Sequence, residues 1–126
     1  VILLTGTSGF IASRILVQLA AREPSRPNQP IALARRQVPG VPTVLADLRD
    51  PSALTRALDS ARPSVIIHAA AMRDPASCER AKDEAIAVNF HATRTIATWS
   101  EAHAARLIFL STDLVFDGVP RCHHAA

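Results

Sequence analysis

The decisive stretch is Val1-Ile2-Leu3-Leu4-Thr5-Gly6-Thr7-Ser8-Gly9-Phe10-Ile11-Ala12. Val1 to Thr5 is a short aliphatic and β-branched run that stops at Gly6, the pattern of a buried strand. From Phe10 the apolar residues Ile11, Ile15, Leu16 and Leu19 recur at helical spacing, which predicts an amphipathic helix to about Arg22. The junction reads TGxxGxxA. In that setting the first glycine permits a tight turn and the second lets backbone N–H groups approach a pyrophosphate. The small third residue, Ala12, lets the helix pack close to the strand. No lysine follows the second glycine, so a triphosphate-binding P-loop is excluded. An ordinary glycine-containing turn is the plain alternative; the placement between strand and helix weighs against it.

Working outward, Pro30 to Ala34 reads as a second strand, Thr43 to Ala46 as a third, Ser64 to His68 as a fourth and Arg106 to Ser111 as a fifth. Glu23 to Pro30 holds three prolines and is expected on the surface. Asp50 is a suitable N-cap with Pro51 at the first helical position, and Leu54, Ala57, Leu58 and Ala61 form an inward stripe. Helical spacing returns after Pro75 and is clearest from Asp83 to Ala104. Short strands alternating with longer helices predict right-handed crossovers. The expected class is α/β: a Rossmann-type doubly wound parallel sheet of about five strands with helices on both faces. If the strand order is that of a dinucleotide-binding fold, the switch point falls between the first and fourth strands, and a ligand is then expected at Gly6 to Gly9 and Ala69 to Ala71.

Composition narrows the function. The chain has 126 residues, 48% hydrophobic and 20% charged, which suits one compact domain. Apolar runs such as Val65 to Met72 are far shorter than the ~20 residues of a membrane helix. The first residues also lack the charged start of a signal peptide. Net charge is +3, but the arginines are scattered, with only Arg35 and Arg36 adjacent, and aromatic content is 4%. Nucleic-acid binding, which needs a basic stripe with stacking residues, is not expected. Cys78 and Cys122 lie far apart and outside any metal-ligand spacing, as do His91 and His103; the expectation is a reduced, cytoplasmic protein without a metal site. There is no tyrosine.

The second strand ends in Ala34-Arg35-Arg36, where NAD-binding folds often carry an acidic residue for the ribose hydroxyls. Cations there suit the 2′-phosphate of NADP, so NADP(H) is expected over NAD(H). Two solvated loop arginines are the alternative. Asp47 follows the third strand, placed either to approach an adenine or to cap the Asp-Leu-Arg-Asp loop.

TGxxGxxA, then Asp47-Leu48, Ile67-His68-Ala69-Ala70-Ala71 and Ala87-Val88-Asn89 together resemble the extended short-chain dehydrogenase/reductase superfamily. Pro63 to Ala71, Cys78-Glu79 and above all Ser111-Thr112-Asp113-Leu114-Val115-Phe116-Asp117-Gly118 are similar to its dTDP-4-dehydrorhamnose reductase family. The likeness runs from Val1 to about Gly118. It implies that Gly6, Ser8, Gly9, Phe10 and Ile11 meet the dinucleotide and that Asp47 and Leu48 flank the adenine. Ala69, Ala70 and Ala71 would wall the ribose and nicotinamide. Asn89 matches the helix asparagine that supports the active-site backbone, a polar residue capping a kink being the alternative. Thr112 matches the catalytic hydroxyl that hydrogen-bonds the substrate carbonyl.

The family completes its site with a YxxxK pair beyond the STD string. Here tyrosine is absent and the one lysine, Lys82, lies upstream, while His123 and His124 sit in a dissimilar end, PRCHHAA. The resemblance therefore implies the cofactor-binding part of an NADPH-dependent reductase of a nucleotide-linked 4-keto-deoxysugar, with the C-terminal substrate part missing and no turnover on its own. Residues 1–118 would form the truncated Rossmann domain and 119–126 an irregular tail. His68 is expected to be packed rather than catalytic. The resemblance leaves room for a homodimer in a longer parent. A second reading is a non-catalytic binding module like the regulatory beta subunit of methionine adenosyltransferase, which resembles the same family. A third is another extended reductase or epimerase.

Overall fold

The computed structural model describes residues 1–22 and 29–115. The expected tail, 119–126, lies outside these, as do Phe116, Asp117 and Gly118 and most of the proline-rich connection. Five parallel strands form one sheet: β1 (Ile2–Thr5), β2 (Ile31–Ala34), β3 (Thr43–Leu45), β4 (Val65–His68) and β5 (Arg106–Phe109), in the order β3-β2-β1-β4-β5. The order reverses between β1 and β4, so the switch point falls where the sequence places it. Register pairs Thr5 with His68 and with Leu33, aligning the strand ends that open on it.

Alternation along the strands sorts the core. Leu3, Leu33 and Ile66 point to one face, where Leu54, Ala57 and Leu58 of α2 (Pro51–Ala61) meet Ala92, Ile96 and Trp99 of α5 (Ala92–Ala102). On the opposite face Leu4 and Ala32 are buried beneath α1 (Phe10–Arg22), which contributes Ala12 and Leu16. Helices thus cover both faces, as a parallel sheet requires. Asp50 caps α2 by accepting the Ala53 N–H at 2.9 Å, with Pro51 at the first position. Asp74 does the same for α3 (Pro75–Arg80) by accepting from Ser77.

Three expectations change. Ile11 leaves the apolar stripe of α1: it is 55% exposed and lines the open end of the sheet, where the resemblance puts it against a dinucleotide, while Ala12 and Leu16 are the buried residues of that helix. The fifth strand ends at Phe109 instead of Ser111, and Ile108 and Phe109 keep 44% and 49% of their surface exposed. The long helix expected over 83–104 is α4 (Lys82–Ile86), a π-turn (Ala87–His91) and α5. The π-turn adds a residue where Asn89 reaches across to the loop after β4. The helix ends at Ala102, and Ala104 then takes a left-handed φ of 51°.

Candidate cofactor cleft

A cleft of about 900 Å³ opens at the C-terminal ends of β1, β2 and β4. Its floor is the turn after β1. The Gly9 N–H donates to the Gly6 carbonyl at 2.8 Å, and the Ser13 N–H donates to the Gly9 carbonyl at 3.1 Å, which opens α1 directly on the turn. Gly6 has φ +73°, and a Cβ there would stand 2.7 Å from the Ala70 nitrogen. The turn thus lies flat against the wall formed by Ala69 and Ala70. The first turn of α1 carries no acidic residue, so its N–H groups and dipole face the cleft uncompensated. Backbone this close, with a helix N-terminus opening on the cleft, fits a pyrophosphate. Ser8, Phe10 and Ile11 complete this side.

The far end belongs to the loops after β2 and β3. Arg35 and Arg36 line it, both exposed. Asp47 and Leu48 line it too, but the Asp47 carboxylate is engaged. Arg49 Nε and Nη2 donate to its two oxygens at 2.6 to 3.1 Å, and the Arg49 N–H donates to Oδ1 at 2.9 Å. These bonds hold the Asp47 carboxyl down at about pKa 2. Arg49 Nη1 also donates to Glu84 Oε1 at 2.9 Å, tying this loop to α4 across the end of the cleft. The loop-capping alternative for Asp47 is therefore realised, and this end of the cleft carries a guanidinium already bound to two carboxylates.

The wall is Ala69 to Arg73. Asn89 lies behind it: the Met72 N–H donates to Asn89 Oδ1 at 2.8 Å, and Asn89 Nδ2 donates to the Met72 carbonyl at 2.9 Å. Asn89 supports the wall without lining the cleft. Thr5 Oγ1 accepts the N–H groups of Ala69 and Ala70, both at 3.2 Å. His68 is fully buried between Thr5 and Thr93 and stacks on Phe109 at 5.6 Å; burial pushes its pKa down to about 4.

Thr112 lies outside the cleft lining, exposed beyond β5, where its hydroxyl donates to Asp113 Oδ1 at 3.1 Å. The other residues expected around a dinucleotide, Asn89 excepted, line one space. Sequence reasoning missed Arg49, Glu84 and Thr5. The Asp-x-Arg spacing signals the first, since an aspartate there accepts the N–H two residues on. The Arg49 to Glu84 bridge joins elements 35 residues apart and has no local signature. Among the described residues no group of His, Cys, Asp or Glu could hold a metal ion.

Residues 1–125 match the RmlD substrate binding domain. The chain belongs to this family. Methionine adenosyltransferase 2 subunit beta of Danio rerio is 43% identical over 72 residues, 57% of this chain and 22% of that protein. A dTDP-4-dehydrorhamnose reductase of Burkholderia thailandensis is 31% identical over 117 residues, 93% of this chain and 35% of that enzyme. The RmlD-family chain thus spans roughly a third or less of these relatives. Among the similar solved structures are two enzymes with bound cofactor. Bacillus anthracis dTDP-4-dehydrorhamnose reductase, in complex with NADP, matches with a TM-score of 0.75 and 26% identity, covering 93% of this chain and 38% of that one. Thermus thermophilus UDP-glucose 4-epimerase, in complex with NAD, matches with a TM-score of 0.76 and 27% identity, covering 88% and 37%. The Rossmann-type reading of the sheet accords with both.

Proposed function

We propose that these residues form the cofactor-binding part of an NADPH-dependent reductase acting on a nucleotide-linked 4-keto-deoxysugar. The observation that carries the reading is the Gly6 turn lying flat against Ala69 and Ala70 at the switch point, with Arg35 and Arg36 at the other end of the same cleft. A dinucleotide would lay its pyrophosphate on the turn, and the 2′-phosphate would meet the two arginines. Bound NADPH supplies hydride. The chain's part is to hold it: backbone N–H groups take the pyrophosphate, and the Ala69 to Ala71 wall leaves room for the ribose and nicotinamide. A role for Thr112 as donor to the substrate carbonyl oxygen rests on the family likeness, since its hydroxyl lies outside the cleft lining and bonds to Asp113. The 126 residues contain no tyrosine, and Lys82 pairs with Glu79 on the surface, so the proton-donating Tyr/Lys pair is not supplied within them. We therefore propose cofactor binding without turnover by this chain.

Likeness to dTDP-sugar reductases along nearly the whole chain supports this substrate class. Among the described residues no helix is long and apolar enough to cross a membrane, and Cys78 is a free thiol. A second reading is favoured by the 43% identity to methionine adenosyltransferase 2 subunit beta: a non-catalytic NADP-binding subunit. The test is a paired assay. The chain should bind NADPH and show no NADPH oxidation when a dTDP-4-keto-6-deoxysugar is added. Absence of binding, or turnover by these residues alone, contradicts the proposal.

A further inference from the structure

The cleft wall is held from behind by side chains that do not themselves line the cleft, and the direction of each hydrogen bond among them follows from donor and acceptor counting. Thr5 Oγ1 lies 3.2 Å from the N–H groups of both Ala69 and Ala70. An N–H only donates, so these bonds occupy both lone pairs of the hydroxyl oxygen. The Thr5 proton then goes to its remaining neighbour, His68 Nδ1, at 2.7 Å. That nitrogen must accept, which leaves the single proton of a neutral ring on Nε2. Nε2 is 3.0 Å from Thr93 Oγ1, and the Thr93 hydroxyl donates to the Asn89 carbonyl at 2.8 Å. Along this relay every proton has one acceptor.

A charged ring breaks the pattern. Its Nδ1–H would face a hydroxyl whose lone pairs are filled, and the Thr5 proton would lose its acceptor. Burial of the ring, with Phe109 stacked against its face, opposes the charge in the same direction.

We infer that His68, fixed as the neutral Nε2–H tautomer, is a positioning residue. It joins the hold of Thr5 on Ala69 and Ala70 to the π-turn that carries Asn89 and its hold on Met72. The wall is thereby fixed at both ends through one imidazole that touches no cleft surface. Because Gly6 packs directly on Ala69 and Ala70, the same relay sets the depth of the glycine turn. Only the consequence for a bound dinucleotide rests on the cofactor reading above.

The test uses the chain labelled with nitrogen-15 and two variants of Thr93, a residue outside the cleft lining. Long-range proton–nitrogen correlation at neutral pH should show His68 protonated at Nε2 and bare at Nδ1. Thr93→Val leaves the Nε2–H without its acceptor, and amide exchange at Ala70 and Met72 should rise at least tenfold relative to Leu3 inside β1. NADPH affinity should fall about tenfold. Thr93→Ser keeps the hydroxyl and should match the parent in both readouts. A His68 ring protonated at Nδ1, or charged, overturns the inference. So does a Thr93→Val protein that melts earlier yet keeps wild-type exchange at Ala70 and Met72, since that is the behaviour of a merely packed side chain. If Thr93→Val does not fold, the ring spectrum of the parent and the behaviour of Thr93→Ser still decide. A parent chain that binds neither NADPH nor NADH overturns the cofactor reading alone; the ring and exchange measurements judge His68 independently.

Discussion

A methyl group placed on the α-carbon of Gly6 would stand 2.7 Å from the backbone nitrogen of Ala70, 64 residues away along the chain. Side-chain atoms cannot move aside to relieve that contact, because the atoms met are backbone. Gly6→Ala should therefore cost about 3 kcal/mol or more, combining the left-handed φ of +73° with the clash, and should abolish dinucleotide binding. Gly40 is the control. It has φ +72° but open space around it, so Gly40→Ala should cost only about 1 kcal/mol. Chemical denaturation of the two variants separates strain from clash, and equal costs would contradict the close approach.

Arg35 and Arg36 give the cleft its proposed preference between the two nicotinamide cofactors. Arg35→Asp combined with Arg36→Ala should weaken NADPH binding by tenfold or more while changing NADH binding little, because only the former carries a 2′-phosphate. Parallel fluorescence titrations read both affinities. Equal loss for the two cofactors, or no loss, would show the arginines to be solvated loop residues.

Acid should act on this protein through His68 before it acts through Asp47. The folded state holds His68 neutral down to about pH 4, whereas the unfolded chain takes up a proton near the ordinary value of 6.5. The unfolded state thus binds more protons between those values, and stability falls as pH drops from 6.5 to 4, by roughly 3 kcal/mol from this group. Asp47 is also shifted down, but by a partner instead of by burial: its carboxyl is held at about 2 by Arg49, so its contribution is present above the ordinary carboxylate value and is lost only as pH falls through about 2. Urea midpoints measured from pH 7 to pH 4 should decline continuously. A flat profile would place a protonatable, solvated ring at position 68.

The end of α5 offers a stabilising substitution. Ala104 sits at φ 51° just past the helix, with its N–H donating to the Glu101 carbonyl and the Ala105 N–H donating to the Ser100 carbonyl. Glycine adopts this conformation without a Cβ penalty, so Ala104→Gly should raise stability by about 1 kcal/mol, read as a higher melting temperature. A lower melting temperature would mean that the left-handed turn is not retained.

Much of this arrangement could be read from local sequence. The parallel sheet follows from alternating short apolar runs and helical stripes, and the turn at Gly6 from its place between two such elements. Asp50 and Pro51 start α2 as their chemistry dictates. Local pattern failed where distant residues decide. Helical spacing through Asn89 is uninterrupted, yet the bond from its side chain to Met72 accompanies a π-turn that no periodicity reveals. Asp47 lines the cleft, but its charge is taken up by Arg49, which in turn reaches Glu84 on another element. Ile11 fits an apolar stripe and still faces the cleft, because the first turn of α1 projects past the sheet it would pack on. Thr112, assigned through resemblance, stands apart from the cleft lining and bonds to its neighbour Asp113.

Calorimetric titration of the 126-residue chain with NADPH and, separately, NADH tests the central claim most directly. Saturable binding of one NADPH per chain, at least tenfold tighter than NADH, is the predicted result. No binding of either, or equal affinity for both, would contradict it.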